Sequence, residues 1–363
     1  MKDIHLALRK ASIAIIAQNQ APSGAYVASP NFGVYKYSWF RDGAFIADAM
    51  SASGENQSAL KFHLWATRVI LGREEKIASL IKKSRQGEEI PIDDHLHCRY
   101  SMDGKEAPEE WTNFQLDGFG TWVWSLNQFI LRNGTLPTST YRAVDSLVAY
   151  MVEFWKSVSY DWWEESFGHL HVASLGSIAA GLHAVTAWPE LSEETRKVAA
   201  ETYVIIRSFI LTHGLVGERL AKWIDGVGLD SSTISLIEPF RVFTKEDSVT
   251  TPTIQEVGDQ LGILGTFRHV DDQYFGGGKW PLLSCFLGLS LIEIGRTDQA
   301  EEILDWVASV ADEALQLPEQ LTVPLLHPEF RDEWIKRWGE PAIPLLWSHA
   351  MYLSLLAALN TKR

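Results

Sequence analysis

The chain has 363 residues, 46% of them apolar and 21% charged, with a formal net charge of −14. That composition excludes a disordered chain. The acidic balance argues against nucleic acid or an anionic membrane as partner, because there is no basic patch to neutralise phosphate. Cys98 and Cys285 stand far apart with no metal-type spacing partner, so a reducing compartment is the simpler expectation.

Charges interrupt the apolar positions of Met-Lys-Asp-Ile-His-Leu-Ala-Leu-Arg-Lys at the N-terminus. No signal-peptide core is visible there and a cytoplasmic location is expected. No apolar run approaches the length of a membrane helix. Residues 4–20 place Ile4, Leu8, Ala11, Ile15 and Ile16 near helical spacing, and Ala-Pro-Ser-Gly ends the pattern. Residues 26–40 read as extended and aromatic, and Arg41-Asp42-Gly43 follows. A helix is predicted over 44–53, stopped by Gly54, and another over 57–84.

Residues 85–116 are polar and irregular, with Pro91, Gly104 and Pro108. A loop of that length in a compact protein is usually functional or mobile. It runs into Trp111-Thr-Asn-Phe-Gln115-Leu-Asp117-Gly118. Helices are then predicted over 120–133, 138–157, 172–187, 192–213, 231–238, 253–265, 282–295, 298–316 and 345–359. The stretch from Leu317 to Pro344 reads as a Pro-punctuated loop. About twelve helices, with few strand candidates and rich loops between alternate helices, point to helical hairpins in a ring. An all-α (α/α)6 barrel over residues 1–363, as one domain, accounts for the count.

Five loops stand out: 37–42, 111–117, 161–165 and 268–280, with Trp or Tyr beside Asp, Glu, Arg or Gln, and 317–320, with Glu319 and Gln320. The segment Asp161-Trp162-Trp163-Glu164-Glu165 places two carboxylates after two indoles. Burial beside such rings disfavours the charged form, which keeps an acid protonated near neutral pH. Aromatic faces suit pyranose rings, and Arg and carboxylates suit their hydroxyls. Each loop also has an ordinary reading. Arg41-Asp42 alone is more often a local ion pair, and Gly276–Gly278 more often a turn than a phosphate cradle. The His-x-His pairs His95/His97 and His169/His171 have no matching ligands, so no metal and no cofactor are expected.

These loops resemble those of the inverting glucoamylase and glucodextranase enzymes of glycoside hydrolase family 15. Tyr35-Lys-Tyr37-Ser-Trp39-Phe-Arg41-Asp42-Gly43 is similar to the family's aromatic–Trp–x–Arg–Asp segment. The resemblance implies that Tyr37 and Trp39 face the sugar and that Arg41 and Asp42 hold it. It places Gln115 and Asp117 in the Gln-x-Asp-Gly loop, with Trp111 as a wall. It makes Glu164 the general acid, Glu165 a substrate contact and Trp163 a platform. Arg268 and Trp280 fall in the substrate-binding Arg-x-x-x-Asp-x-Tyr…Gly…Trp region, and Glu319 in the loop of the general base. Leu229-Asp230-Ser-Ser and Pro344-Leu-Leu-Trp347-Ser348-His349-Ala350 also fit. Asp94 and Glu329, read from their place in loops and not from the resemblance, stay open as secondary contacts.

The implied fold is again an (α/α)6 barrel. The implied reaction is hydrolysis of α-1,6- or α-1,4-glucosides from the non-reducing end with release of β-glucose. The chain starts at the first catalytic helix, without the N-terminal β-sandwich of many bacterial members and without a starch-binding module. Short soluble oligosaccharides are therefore the expected substrates; a monomer is compatible, with the oligomeric state open. Trehalose hydrolysis or phosphorolysis on the same barrel, and non-catalytic sugar binding, are the alternatives.

Overall fold

The computed structural model describes residues 2–361. Thirteen α-helices occur among them: α1 (Asp3–Gln18), α2 (Phe40–Ala52), α3 (Asn56–Leu71), α4 (Glu74–Arg85), α5 (Asp117–Asn133), α6 (Thr138–Phe154), α7 (Val172–Val185), α8 (Glu193–His213), α9 (Thr250–Leu261), α10 (Pro281–Glu293), α11 (Thr297–Ser309), α12 (Arg331–Trp338) and α13 (Leu346–Thr361). Two short antiparallel pairs join β1 (Ser38–Trp39) to β2 (Arg99–Tyr100) and β3 (Leu215–Val216) to β4 (Arg219–Leu220).

The helices form two concentric rings. In the inner ring α2 packs on α5, α5 on α7, α7 on the 3₁₀ segment Ser231–Leu236, that segment on α10, α10 on α13, and α13 back on α2. The outer ring is made by α1, α3, α6, α8, α9 and α11. Inner helices are enclosed on all sides, so they carry apolar residues all round; every residue of α10 from Pro281 to Ile292 is buried. Outer helices bury one stripe, as α11 does with Ala300, Ile303, Leu304, Val307 and Ala308. Close approach of α5 and α7 depends on Gly120 and Gly181. A Cβ at Gly120 would lie 2.2 Å from the Ser177 carbonyl oxygen, inside any permitted contact. The mostly helical fold agrees with the all-α (α/α)6 expectation. No helix among the described residues is long and apolar enough to cross a membrane.

Several expected boundaries were displaced. Helix α2 starts at Phe40 rather than residue 44, which puts Arg41 and Asp42 in its first turn. An acid there complements the helix dipole. The stretch 57–84 is two helices, broken at Gly72-Arg73. The inner-ring member expected as a helix over 231–238 is a 3₁₀ turn because its hydroxyls compete for the backbone. Asp230 accepts from Ser232 N at 2.9 Å, and the Thr233 and Ser235 hydroxyls donate to the carbonyls of Asp230 and Ser232 at 2.7 Å each. Helix α12 lies where only a loop was expected. No residue of it is fully buried, so it lacks the core-facing stripe that reveals a helix in sequence.

Candidate active site

One end of the ring opens into a cavity of about 760 Å³ lined by the loops between helices. Four local devices build it.

The β1–β2 pair comes first, with Trp39 opposite Arg99. It ties the aromatic segment before α2 to the long loop 85–116, so Trp39 and Trp111 face the cavity together.

The second device is the turn at 161–165. Asp161 accepts from the amides of Trp163 (3.0 Å) and Glu165 (2.9 Å). This Asx-type turn forces Glu164 into a left-handed conformation, φ 67°. A non-glycine residue there is strained by about 1–3 kcal/mol, and the strain aims its side chain inward. Lys222, absent from the sequence-based candidates, holds Asp161 at 3.4 Å and Asp230 at 3.1 Å. Asp230 in turn takes the Trp163 indole N–H at 3.0 Å.

The third is the N-terminus of α2. Arg41 donates to Gln115 Oε1 (2.9 Å) and Asp117 Oδ2 (3.0 Å), lies 3.8 Å from Glu164 Oε1, and sits over the Trp347 ring. Gln115 and Asp117 are fully buried behind Arg41 and do not line the cavity. Both hydrogen-bond to Arg41 from behind, and Gln115 also acts on Glu164. Burial pushes Asp42 up to about 7 against the opposing pull of Arg41. No donor among the described residues reaches its buried Oδ2.

The fourth is Arg268, 2% exposed. Its guanidinium is bound by both Asp272 oxygens and by Glu165 Oε1 at 3.0 Å, and lies over Trp163, Tyr274 and Trp280. Burial raises Glu165, but Arg268 and His269 outweigh it and bring its pKa to about 2.

Glu164 and Glu319 line this single cavity. Glu164 accepts the indole N–H of Trp39 on Oε1 at 2.5 Å and that of Trp111 on Oε2. Burial raises its pKa, while Arg41 and the two indoles oppose the rise. Glu319 is 1% exposed and accepts the Tyr35 hydroxyl at 2.8 Å on Oε1. Burial lifts it to about 7, against Tyr35 and Arg268. No donor among the described residues reaches its Oε2. The Tyr35 hydroxyl also lies 2.9 Å from that of Tyr274.

The model of the Glycosyl hydrolases family 15 matches residues 4–276. The chain belongs to this family. It is 39% identical over 356 residues to an isomaltose glucohydrolase of Kribbella flavida, spanning 96% of this chain and 91% of that one. A solved glycosidase variant in complex with glucose superposes with a TM-score of 0.95 at 37% identity, covering 98% of this chain and 97% of that one. A bacterial glucoamylase complexed with acarbose shares the fold, with a TM-score of 0.73 at 20% identity over 98% of this chain and 56% of that one.

In this family 15 chain, ten of the sequence-derived residues line the cavity together: Trp39, Arg41, Asp42, Trp111, Trp163, Glu164, Glu165, Arg268, Trp280 and Glu319. Tyr37 does not. Its hydroxyl donates to Glu109, and its ring stacks on Arg99, which stacks in turn on Trp111. Tyr35 ends the 3₁₀ turn Gly33–Tyr35, which breaks the extended run before β1, and it is Tyr35 that takes the place at the cavity. Asp94 and Glu329 also lie outside the lining; Asp93 is inside it.

Sequence reasoning missed Tyr35, Tyr274, Trp347 and the α12 residues Trp334, Arg337 and Trp338, all of which line the cavity. Trp334 and Trp338 are four apart with ring centroids 5.0 Å from each other. That i,i+4 aromatic spacing was the available signal for a one-faced helix.

Proposed function

We propose that this family 15 chain is an inverting, exo-acting α-glucosidase releasing β-D-glucose from short α-glucosides, α-1,6-linked disaccharides such as isomaltose foremost. The observation that carries the reading is two carboxylates on one cavity, Glu319 buried and Glu164 part-buried, each with its own donors and neither bonded to the other. Glu164 is the general acid. Water attacks the anomeric carbon, the C1–O bond electrons go to the glycosidic oxygen, and that oxygen takes the Glu164 proton. Glu319, on the opposite face, accepts the water's proton through Oε2. An inverting pair stands about 6.5–9.5 Å apart to admit that water. Tyr35 bridges the geometry: burial raises its phenol most, then the charge of Glu319, with Glu164 further down.

Arg41 and Asp42 hold the hydroxyls of the sugar whose bond is cleaved; Asp42 Oδ2, 3.6 Å from Arg41 Nε but with no hydrogen-bond donor on it, is suited to a hydroxyl. Glu165 and Arg268 hold further hydroxyls, with Trp163 and Trp280 as platforms. Gln115 and Asp117 keep Arg41 in place. The leaving sugar lies against Trp111 and Trp338, stacked on each other at 6.1 Å between centroids. This lintel joins two loops over the cavity and favours short leaving groups. Similarity to the isomaltose glucohydrolase supports the α-1,6 choice. A phosphorylase reading gains nothing, because Arg268, the cation acting on Glu319, is already bound by Asp272 and Glu165.

Residues 1–363 act as one catalytic unit, since the inner ring closes only where α13 meets α2. Two free buried cysteines suit a reducing cytoplasm. The deciding experiment offers maltose, isomaltose, nigerose, trehalose and panose, with NMR of the first-formed anomer. Isomaltose turned over fastest with β-glucose released first is the expected result. Initial α-glucose, or trehalose as the preferred substrate, overturns it.

A further inference from the structure

The segment carrying Glu319 is fastened to α13 by a histidine that no step above uses. His349 lies in the first turn of α13 and is fully buried. Its Nε2 is 3.0 Å from the Leu317 amide nitrogen, two residues before the base. Its Nδ1 is 2.9 Å from the Ser12 hydroxyl on α1. An amide N–H can only donate, so Nε2 must be bare and accepting. The ring proton therefore sits on Nδ1 and is donated to the Ser12 oxygen. Burial, which drives the imidazole pKa down to about 3, keeps the ring neutral and the arrangement single.

The surrounding bonds repeat this fastening. Ser348 Oγ donates to the Pro318 carbonyl at 2.8 Å, Leu345 N donates to the Leu317 carbonyl at 3.0 Å, and Glu319 N donates to the Ala342 carbonyl at 2.8 Å. On the far side Gly278 N donates to Gln320 Oε1 at 2.8 Å. Of these links, only the one through His349 reaches back to the outer ring, through Ser12. Of the side chains of His349, Ser348 and Tyr35, which hydrogen-bond to Leu317, Pro318 and Glu319, only that of His349 has two tautomers between which a neighbour selects.

We propose that Ser12 and His349 are positioning residues for the general base: Ser12 selects one imidazole tautomer, whose bare Nε2 anchors the Leu317 amide and so sets where the Glu319 carboxylate stands against the bound sugar. The proposal rests on Glu319 being the base. It separates two tasks spatially. Substrate is gripped from α2 and the Arg268 loop, while the base is placed from α13 and α1. A defect in the second should therefore fall on kcat and spare KM.

The test uses the full chain with isomaltose and four variants, each normalised to folded protein. His349→Leu should lower kcat on the order of tenfold to a hundredfold, since an ångström of misplacement suffices, with KM near the parent value. His349→Gln, whose Oε1 can accept from Leu317 N, should recover most of that loss. Ser12→Ala frees the ring to take the other tautomer and should lower kcat several-fold, again with KM held. Full kcat in folded His349→Leu, or a Gln variant no better than Leu, overturns the proposal. If His349→Leu does not fold, Ser12→Ala decides, and a parental kcat there overturns it. Glu319→Gln separates the two layers: if it turns over normally the base assignment itself is wrong, whereas if it is inactive and His349→Leu is not, only the positioning role is lost.

Discussion

The two carboxylates that face the cavity have chemically different surroundings, Glu319 fully buried and Glu164 part-buried. Glu164 has a guanidinium 3.8 Å away and an indole N–H on each oxygen. Glu319 has one phenol on one oxygen, with Arg268 acting from further off. Hydrogen bonds and cations hold the ionised form, and desolvation opposes it. The ion is therefore better supported at Glu164, the proposed proton donor, and worse at Glu319, the proposed base. Burial sets the demand for a raised pKa at both sites; the donors decide which of the two keeps a shared proton in the free enzyme.

Replacing each carboxylate by its amide tests this contrast with the largest expected effect. Glu164→Gln and Glu319→Gln should each lose on the order of 10²–10⁴-fold in kcat while still binding glucose. The losses should part when the leaving group changes. A substrate with a good leaving group, such as α-glucosyl fluoride, needs no proton from Glu164 but still needs an activated water. It should rescue Glu164→Gln and leave Glu319→Gln inactive. Equal rescue of both, or of neither, would break the division of roles.

The chemistry at this site was far more legible in the sequence than its scaffolding. Glu164, Glu319, Arg41, Asp42 and Arg268 each had an ordinary local reading, and it was the resemblance of their segments, in order along the chain, to those of family 15 that singled them out. The supporting partners were not singled out. Lys222 binds Asp161 and Asp230 from 61 and 8 residues away in the chain, and no local pattern announces such a contact. Tyr35 and Tyr37 are two apart and chemically alike, and a regular strand would put both on one face; the 3₁₀ turn that ends at Tyr35 is what separates them. Helix α12 was hidden because it is short and its apolar residues, Trp334, Ile335 and Trp338, are only partly buried against the core. The ring itself was legible from the count of amphipathic and fully apolar helices. The 3₁₀ member at Ser231–Leu236 was not, because competition from its hydroxyls depends on Asp230 being held in place.

The pH profile sharpens the comparison at a smaller cost in rate. The reactive form carries one proton between the pair, on Glu164. Below the lower apparent pKa both carboxylates are protonated and there is no base. Above the higher, both are ionised and there is no acid. The higher value belongs mainly to Glu319, at about 7, so kcat/KM should fall as pH rises through about 7; the two limbs belong to the coupled pair. Asp42 titrates in the same range, so a variant is needed to assign the limb. Tyr35→Phe removes the donor that stabilises the Glu319 ion and should move the alkaline limb upward by about one unit, the worth of one hydrogen bond to a charged group. Trp39→Phe removes a donor from Glu164 and should move the acid limb upward instead. If both variants move the same limb, the two carboxylates are not distinguished by their donors.

The smallest effect should come from the far side of the cavity, where neither carboxylate is touched. Trp338 reaches Trp111 from α12, with ring planes 27° apart, and Arg337 covers its other surroundings at 4.7 Å from the ring. Trp111 is also a donor to Glu164, so changing it would mix binding with chemistry, whereas Trp338 has no bond to either carboxylate. Trp338→Ala should remove one aromatic contact to the leaving sugar, worth about 1 kcal/mol or roughly fivefold in KM for isomaltose. With the lintel opened, panose and longer oligosaccharides should gain relative to isomaltose, while kcat for α-glucosyl fluoride, which carries no leaving sugar, stays at the parent value. A fall in fluoride turnover in Trp338→Ala would mean that α12 supports the Trp111–Glu164 bond itself. The division between a rigid reacting end and a replaceable leaving-group end would then be wrong.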